Sequence, residues 1–150
     1  MKVDNDILIP ELARLLSEGK EVRFTPSGVS MRPFIEGDKD SVILAPLNRA
    51  PQRGDILLAQ VQTLCGRTTY VLHRLIRVEG EQLTLMGDGN LAGREHCRLA
   101  DVRARATHVV RKSGQRRSLD SLGSRLAAKI WFAVLPFRRW LLAIYRRIPI

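Results

Sequence analysis

The sequence predicts a mainly β domain with a short N-terminal helix and a C-terminal amphipathic helical segment. Three observations predict it. Short apolar runs recur between turn residues through the first 110 positions, as in antiparallel strands. One helix-period stretch precedes them. Another follows them, with apolar residues at helical spacing among arginines.

The elements follow in chain order. Pro10 to Glu18 reads as a helix, because Leu12, Leu15 and Leu16 share one face with Ile7 and Ile9 leading in, and Gly19 can end it. Val22 to Thr25 reads as a strand, broken by Pro26, Ser27 and Gly28. Ser41 to Leu47 is an apolar, strand-like run. Arg49 to Asp55 is a loop containing Pro51 and Gly54. Ile56 to Leu64 and Tyr70 to Val78 are strands, and a Glu79-Gly80 turn leads into Gln82–Met86 as a hairpin. Gly87 to Gly93 reads as a loop, and Val102 to Val110 alternates as the last strand. Domain organisation is therefore 1–21 helix and lead-in, 22–111 body, 112–121 linker and 122–150 tail.

The chain has 150 residues, enough for one ordinary core. Aromatics make up 5%, which disfavours base-stacking platforms. Two cysteines, Cys65 and Cys97, exclude a disulfide scaffold and a cysteine-rich zinc site. The net charge of +10 is concentrated in the tail: residues 111–150 carry 10 Lys or Arg against one Asp. There, Phe137, Trp140, Leu141, Ile144, Tyr145 and Ile148 share one helical face, with Arg138, Arg139, Arg146 and Arg147 largely off it. This composition fits either a helix folded onto the body or an anionic membrane surface with Trp131, Trp140 and Tyr145 at headgroup level. It argues against nucleic acid, which needs charge but no apolar face. Met1 to Lys20 lacks a continuous apolar core, and no apolar run is long enough to span a bilayer. The expected location is cytoplasmic, or peripheral at the cytoplasmic membrane face.

The chemistry concentrates in Pro26-Ser27-Gly28-Val29-Ser30-Met31-Arg32-Pro33. This run presents a serine at the end of a strand, where its hydroxyl can face a groove. A hydroxyl needs an adjacent base to act as nucleophile. His73 stands in an otherwise apolar strand, and its ordinary pKa of about 6.5 suits proton transfer near neutrality. Glu36-Gly37-Asp38, Arg53-Gly54-Asp55 and Met86-Gly87-Asp88-Gly89-Asn90 complete the set.

In order and spacing these boxes resemble the signal peptidase I and LexA-like serine peptidases over about Val22 to Val110. Ser27-Gly28-Val29-Ser30-Met31 resembles the LexA-type nucleophile box. Met31-Arg32-Pro33, Gly37-Asp38, Arg53-Gly54-Asp55 and Gly87-Asp88-Gly89-Asn90 resemble the signal peptidase boxes. Most bacterial members use a lysine base where this chain has His73, so it resembles the histidine variant of the endoplasmic-reticulum and archaeal enzymes. The resemblance implies a coiled antiparallel-sheet fold. It implies Ser30 as nucleophile, His73 as base and Asp88 as the carboxylate orienting His73. Substrate and oxyanion contacts would come from Ser27, Gly28, Val29, Met31 and Pro33.

Two departures stand out. The place of the second oxyanion serine is Gly28, with Ser27 one residue further back. Residues 1–29 contain no Ala-Gly or Cys-Gly bond of the LexA self-cleavage type.

The expected function is a serine endopeptidase acting on an extended polypeptide of the signal- or leader-peptide kind. The alternative is a catalytically idle module that binds peptides or a partner. No cofactor is implied, and His73, Asp88 and His96 match no zinc spacing.

Overall fold

The computed structural model describes residues 5–26, 31, 34–35, 39–62, 66–87, 94–133, 137, 140 and 143–144, without the side chains of 5–10. The chain folds as a mainly β structure with one helix before the sheet and one after it. Helix α1 spans Asn5–Ser17. The strands are β1 (Val22–Phe24), β2 (Ser41–Ala45), β3 (Ile56–Gln62), β4 (Thr68–Glu79), β5 (Gln82–Met86), β6 (Glu95–Arg98), β7 (Val102–Val110) and β8 (Arg116–Ser118). Helix α2 spans Leu122–Ala133.

Helix α1 ends where the sequence predicts. Lys20 N–H donates to Leu15 C=O and Gly19 N–H to Leu16 C=O, with Gly19 at φ 82°. This is the Schellman arrangement, and its left-handed residue favours glycine. The helix starts five residues earlier than the expected Pro10, so Pro10 lies within it.

The strands pair antiparallel in the order β1-β2-β7-β3-β4-β5-β6. Strand β7 is the hub. It pairs with β2, and also with β3 through Val102 to Arg105 and with β8 through His108 to Val110. Strand β8 lies inside the stretch expected to be a linker. Residues 112–121 instead return to the sheet, through an Arg111–Gly114 turn with Gly114 at φ 92°. A second strand escaped the sequence reading: β6 is the short polar run Glu-His-Cys-Arg, which carries no hydrophobic alternation.

The sheet is buried on both faces. On one face Ile56, Leu58, Leu72, Val42, Leu44, Ala104 and Ala106 pack with Met31, Ile35 and the inner side of α1, Leu12 and Leu16. On the other, Leu57, Ala59, Val61, Leu75, Leu83, Leu85, Cys97 and Val102 form a second cluster. Contacts of β6 with β3, which are not neighbours in the sheet order, show that the sheet coils over this second cluster. Two covered faces explain why Ile56 to Ala59 is an uninterrupted apolar run.

Helix α2 docks onto the body. Ala128 and Trp131 are buried, and the Trp131 and Phe34 rings meet edge-on at 6.0 Å. This corrects the placement of Trp131 at a headgroup level, because the Phe34 ring takes its apolar surface first. The outer side of α2 remains apolar and exposed at Leu122, Leu126 and Ile130. Among the described residues no helix is long and apolar enough to cross a membrane.

Leu58, fully buried, and Leu122, 87% exposed, provide a paired test. Leu58→Ala is expected to lower stability by about 2–5 kcal/mol in urea denaturation. Leu122→Ala is expected to change it by no more than about 0.5 kcal/mol.

Candidate active site

His73 lies on β4 opposite Leu57 of β3. Its side chain shares a face with Val71 and Leu75, which pack in the second cluster, and it is 7% exposed. The neighbouring Arg53-Gly54-Asp55 turn anchors this part of β4. Gly54 N–H donates to Leu75 C=O at 2.8 Å, and Leu75 N–H donates to Asp55 C=O at 2.7 Å. Arg53 Nε reaches Ile76 C=O at 3.1 Å, and Arg74 Nη1 reaches Gly54 C=O at 2.8 Å. Gly54 sits at φ 102°, which a side chain would strain. Asp55 closes the turn by accepting from Gln52 N–H and from both Nη atoms of Arg49. The turn expected from Asp55 is therefore present, and it braces the strand that bears His73.

The carboxylate found beside His73 is Glu95, which the sequence reading did not single out. Strand β6 carries it, and its register with β5 sets Glu95 opposite Leu85. His73 Nδ1 lies 3.0 Å from Glu95 Oε1. The pair is close without the alignment of a hydrogen bond. His73 Nδ1 and Glu95 Oε2 are thus buried polar atoms with no hydrogen-bond partner among the described residues. Each such atom costs about 1–3 kcal/mol, and native folds contain few of them. An N–H on Nδ1 faces a carboxylate at this distance, and Nε2 is the other ring nitrogen that can exchange a proton. The signal for Glu95 in the sequence was weak, because it depends on a strand without hydrophobic alternation.

Met31 is buried in the first cluster with Leu72. Leu72 and His73 are adjacent on β4, so Met31 and His73 pack on opposite faces of that strand. Ser30, Asp88, Ser27, Gly28, Val29 and Pro33 lie outside the described residues. So do Asp38 and the loop residues 88–93. The edge leading into the nucleophile box is described: β1 is the terminal strand of the sheet and pairs with β2 alone among the described strands.

The other titratable candidates have structural partners. His96 is exposed and meets Thr84 Oγ1 at 3.2 Å. His108 is half-buried against Thr107 Oγ1 at 3.0 Å. Cys97 is 6% exposed in the second cluster, where burial first and the Asp101 charge second push its thiol up to about 11. It is no nucleophile near neutral pH. Among the described residues no group of His, Cys, Asp and Glu could hold a metal ion.

No protein-family model, curated protein or solved structure matches this chain.

Cys97 gives a pH prediction with a fixed sign. Its folded pKa of about 11 lies above the ordinary value of 9.0, so the unfolded chain loses this proton first. Stability from this group is complete below pH 9.0 and is lost as pH rises toward about 11. Denaturation of wild type and Cys97→Ala across that window checks it: the wild type is expected to lose the extra stability, and the variant to lack that component.

Proposed function

We propose that this protein is a serine endopeptidase in which Ser30 attacks the peptide carbonyl and His73 acts as general base. The observation that carries the reading is the buried His73 beside Glu95, with His73 Nδ1 and Glu95 Oε2 lacking a hydrogen-bond partner among the described residues. Glu95 would fix the tautomer through Nδ1, so that Nε2 takes the Ser30 proton and later returns it to the leaving amine. The Ser30 backbone N–H would supply one oxyanion donor. Asp88, the orienting residue implied by the resemblance, and Glu95 are then two carboxylates for one role.

The substrate would be an extended polypeptide laid as an added strand beside β1, whose outer edge leads directly toward the nucleophile box. Following the signal peptidase resemblance, small residues would precede the cut. The work would take place in the cytoplasm or at the cytoplasmic membrane face. Exposed Leu122, Leu126, Ile130, Phe137, Trp140 and Ile144 beside the tail arginines support contact with an anionic surface.

A second reading is favoured by one observation. Met31 packs on the face of β4 opposite His73, an arrangement suited to a module that binds peptides without turning them over.

The test compares peptide N-termini in cells carrying wild type, Ser30→Ala or His73→Ala. Termini present with wild type and lost in both variants are the expected result, and they identify the cleavage site. Unchanged termini with folded, expressed protein would move the binding module ahead. In a peptide turnover assay Glu95→Gln is expected to lower kcat by about 10²–10⁴-fold, because the amide no longer fixes the His73 tautomer that general-base transfer needs. Asp88→Asn measured alongside tells which carboxylate orients His73.

A further inference from the structure

The face of β4 that carries Arg74, opposite His73, borders a second polar assembly. A cavity of about 370 Å³ lies between α2, the Arg53-Gly54-Asp55 turn and the β7–β8 hairpin. That volume falls within the roughly 300–1,000 Å³ of small-ligand clefts. Its walls hold eight Arg or Lys side chains against two Asp side chains.

The two carboxylates are already spent. Asp55 takes both Nη atoms of Arg49, at 2.8 and 3.0 Å. Asp120 serves three guanidiniums at once, with Arg105 at 2.9 Å, Arg49 at 3.8 Å and Arg125 at 3.9 Å. Arg105 is 7% exposed, so part of this charge is held away from water. Arg117 and Lys129, also on the wall, make no ion pair among the described residues. The rest of the lining includes the apolar side chains Phe34, Ile56, Leu119 and Phe132.

Cations gathered in a partly dry cleft repel one another, and an anion placed among them reverses the sign of that interaction. Guanidinium forks match phosphate oxygens two at a time. We propose that this cavity binds a phosphate group, carried by a small phosphate ester or by a phospholipid headgroup. Arg117, Arg125 and Lys129, exposed on the solvent side of the cavity, supply the charge that Asp120 leaves unanswered, and the apolar wall takes the body of the ligand. The cavity lies on the face of β4 opposite His73.

The test uses the full chain at fixed ionic strength, which holds screening constant. Glycerol 3-phosphate is titrated in one arm. Phosphatidylcholine vesicles containing phosphatidic acid are titrated in the other. The cavity variant Arg117→Gln/Lys129→Gln is compared with Lys20→Gln/Arg77→Gln, which loses the same charge from exposed positions outside the cavity.

The expected result is saturable binding by wild type, weakened about tenfold in the cavity variant and little changed in the control. Binding of the soluble ester identifies a free phosphate ligand. Binding of vesicles alone, with the same selective loss, identifies a lipid headgroup. Equal weakening in both double variants, or no binding of either probe, overturns the proposal.

Discussion

Side chains alternate along a strand, and β4 passes through a sheet buried on both faces. That constraint governs the rest of the molecule. It forces His73 and Arg74, two adjacent polar residues, into two separate apolar layers. Each must find its partners on its own side. Arg74 meets the Gly54 carbonyl and lies over the Phe34 ring, 4.7 Å from its centroid. His73 meets the Glu95 carboxylate without alignment. The guanidinium is satisfied and the imidazole pair is not. The same strand thus carries one buried polar group that is hydrogen-bonded and one whose Nδ1 is not.

The Arg53-Gly54-Asp55 turn links the two sides. Its backbone clamps Leu75, its carbonyl holds Arg74, and Arg53 stacks at 4.3 Å on Phe132 of α2. A single tight turn therefore braces the strand of His73 and helps to seat the C-terminal helix. The positive φ of Gly54 permits this geometry. Two of these contacts hold β4 and the third holds α2.

Helix α2 is apolar on two sides for two reasons. Its inner side, Ala128 and Trp131, closes over Phe34 and forms one wall of the cationic cavity. Its outer side, Leu122, Leu126 and Ile130, is unpartnered among the described residues and continues into the exposed Phe137, Trp140 and Ile144. One face of the helix is thus docked on the body and the other is exposed.

The mainly β class, the end of α1 at Gly19, the positions of β1 to β5 and β7, and the place of His73 in a strand were all legible along the chain. These rest on local signals: hydrophobic period, turn residues and a left-handed glycine. The rest follows from contacts between distant segments. Strands β6 and β8 are short and polar, and they pair because neighbours present edges to them, not because their own residues demand it. Glu95 reaches His73 across two strand pairings, β4 with β5 and β5 with β6, a register that no local pattern encodes. Trp131 is buried because Phe34, nearly a hundred residues away, offers it a ring. The arginines of the cavity come from loop, sheet and helix, so their concentration in one cleft is a product of chain return. Local periodicity fixes what each segment is. Long-range pairing fixes which charges meet.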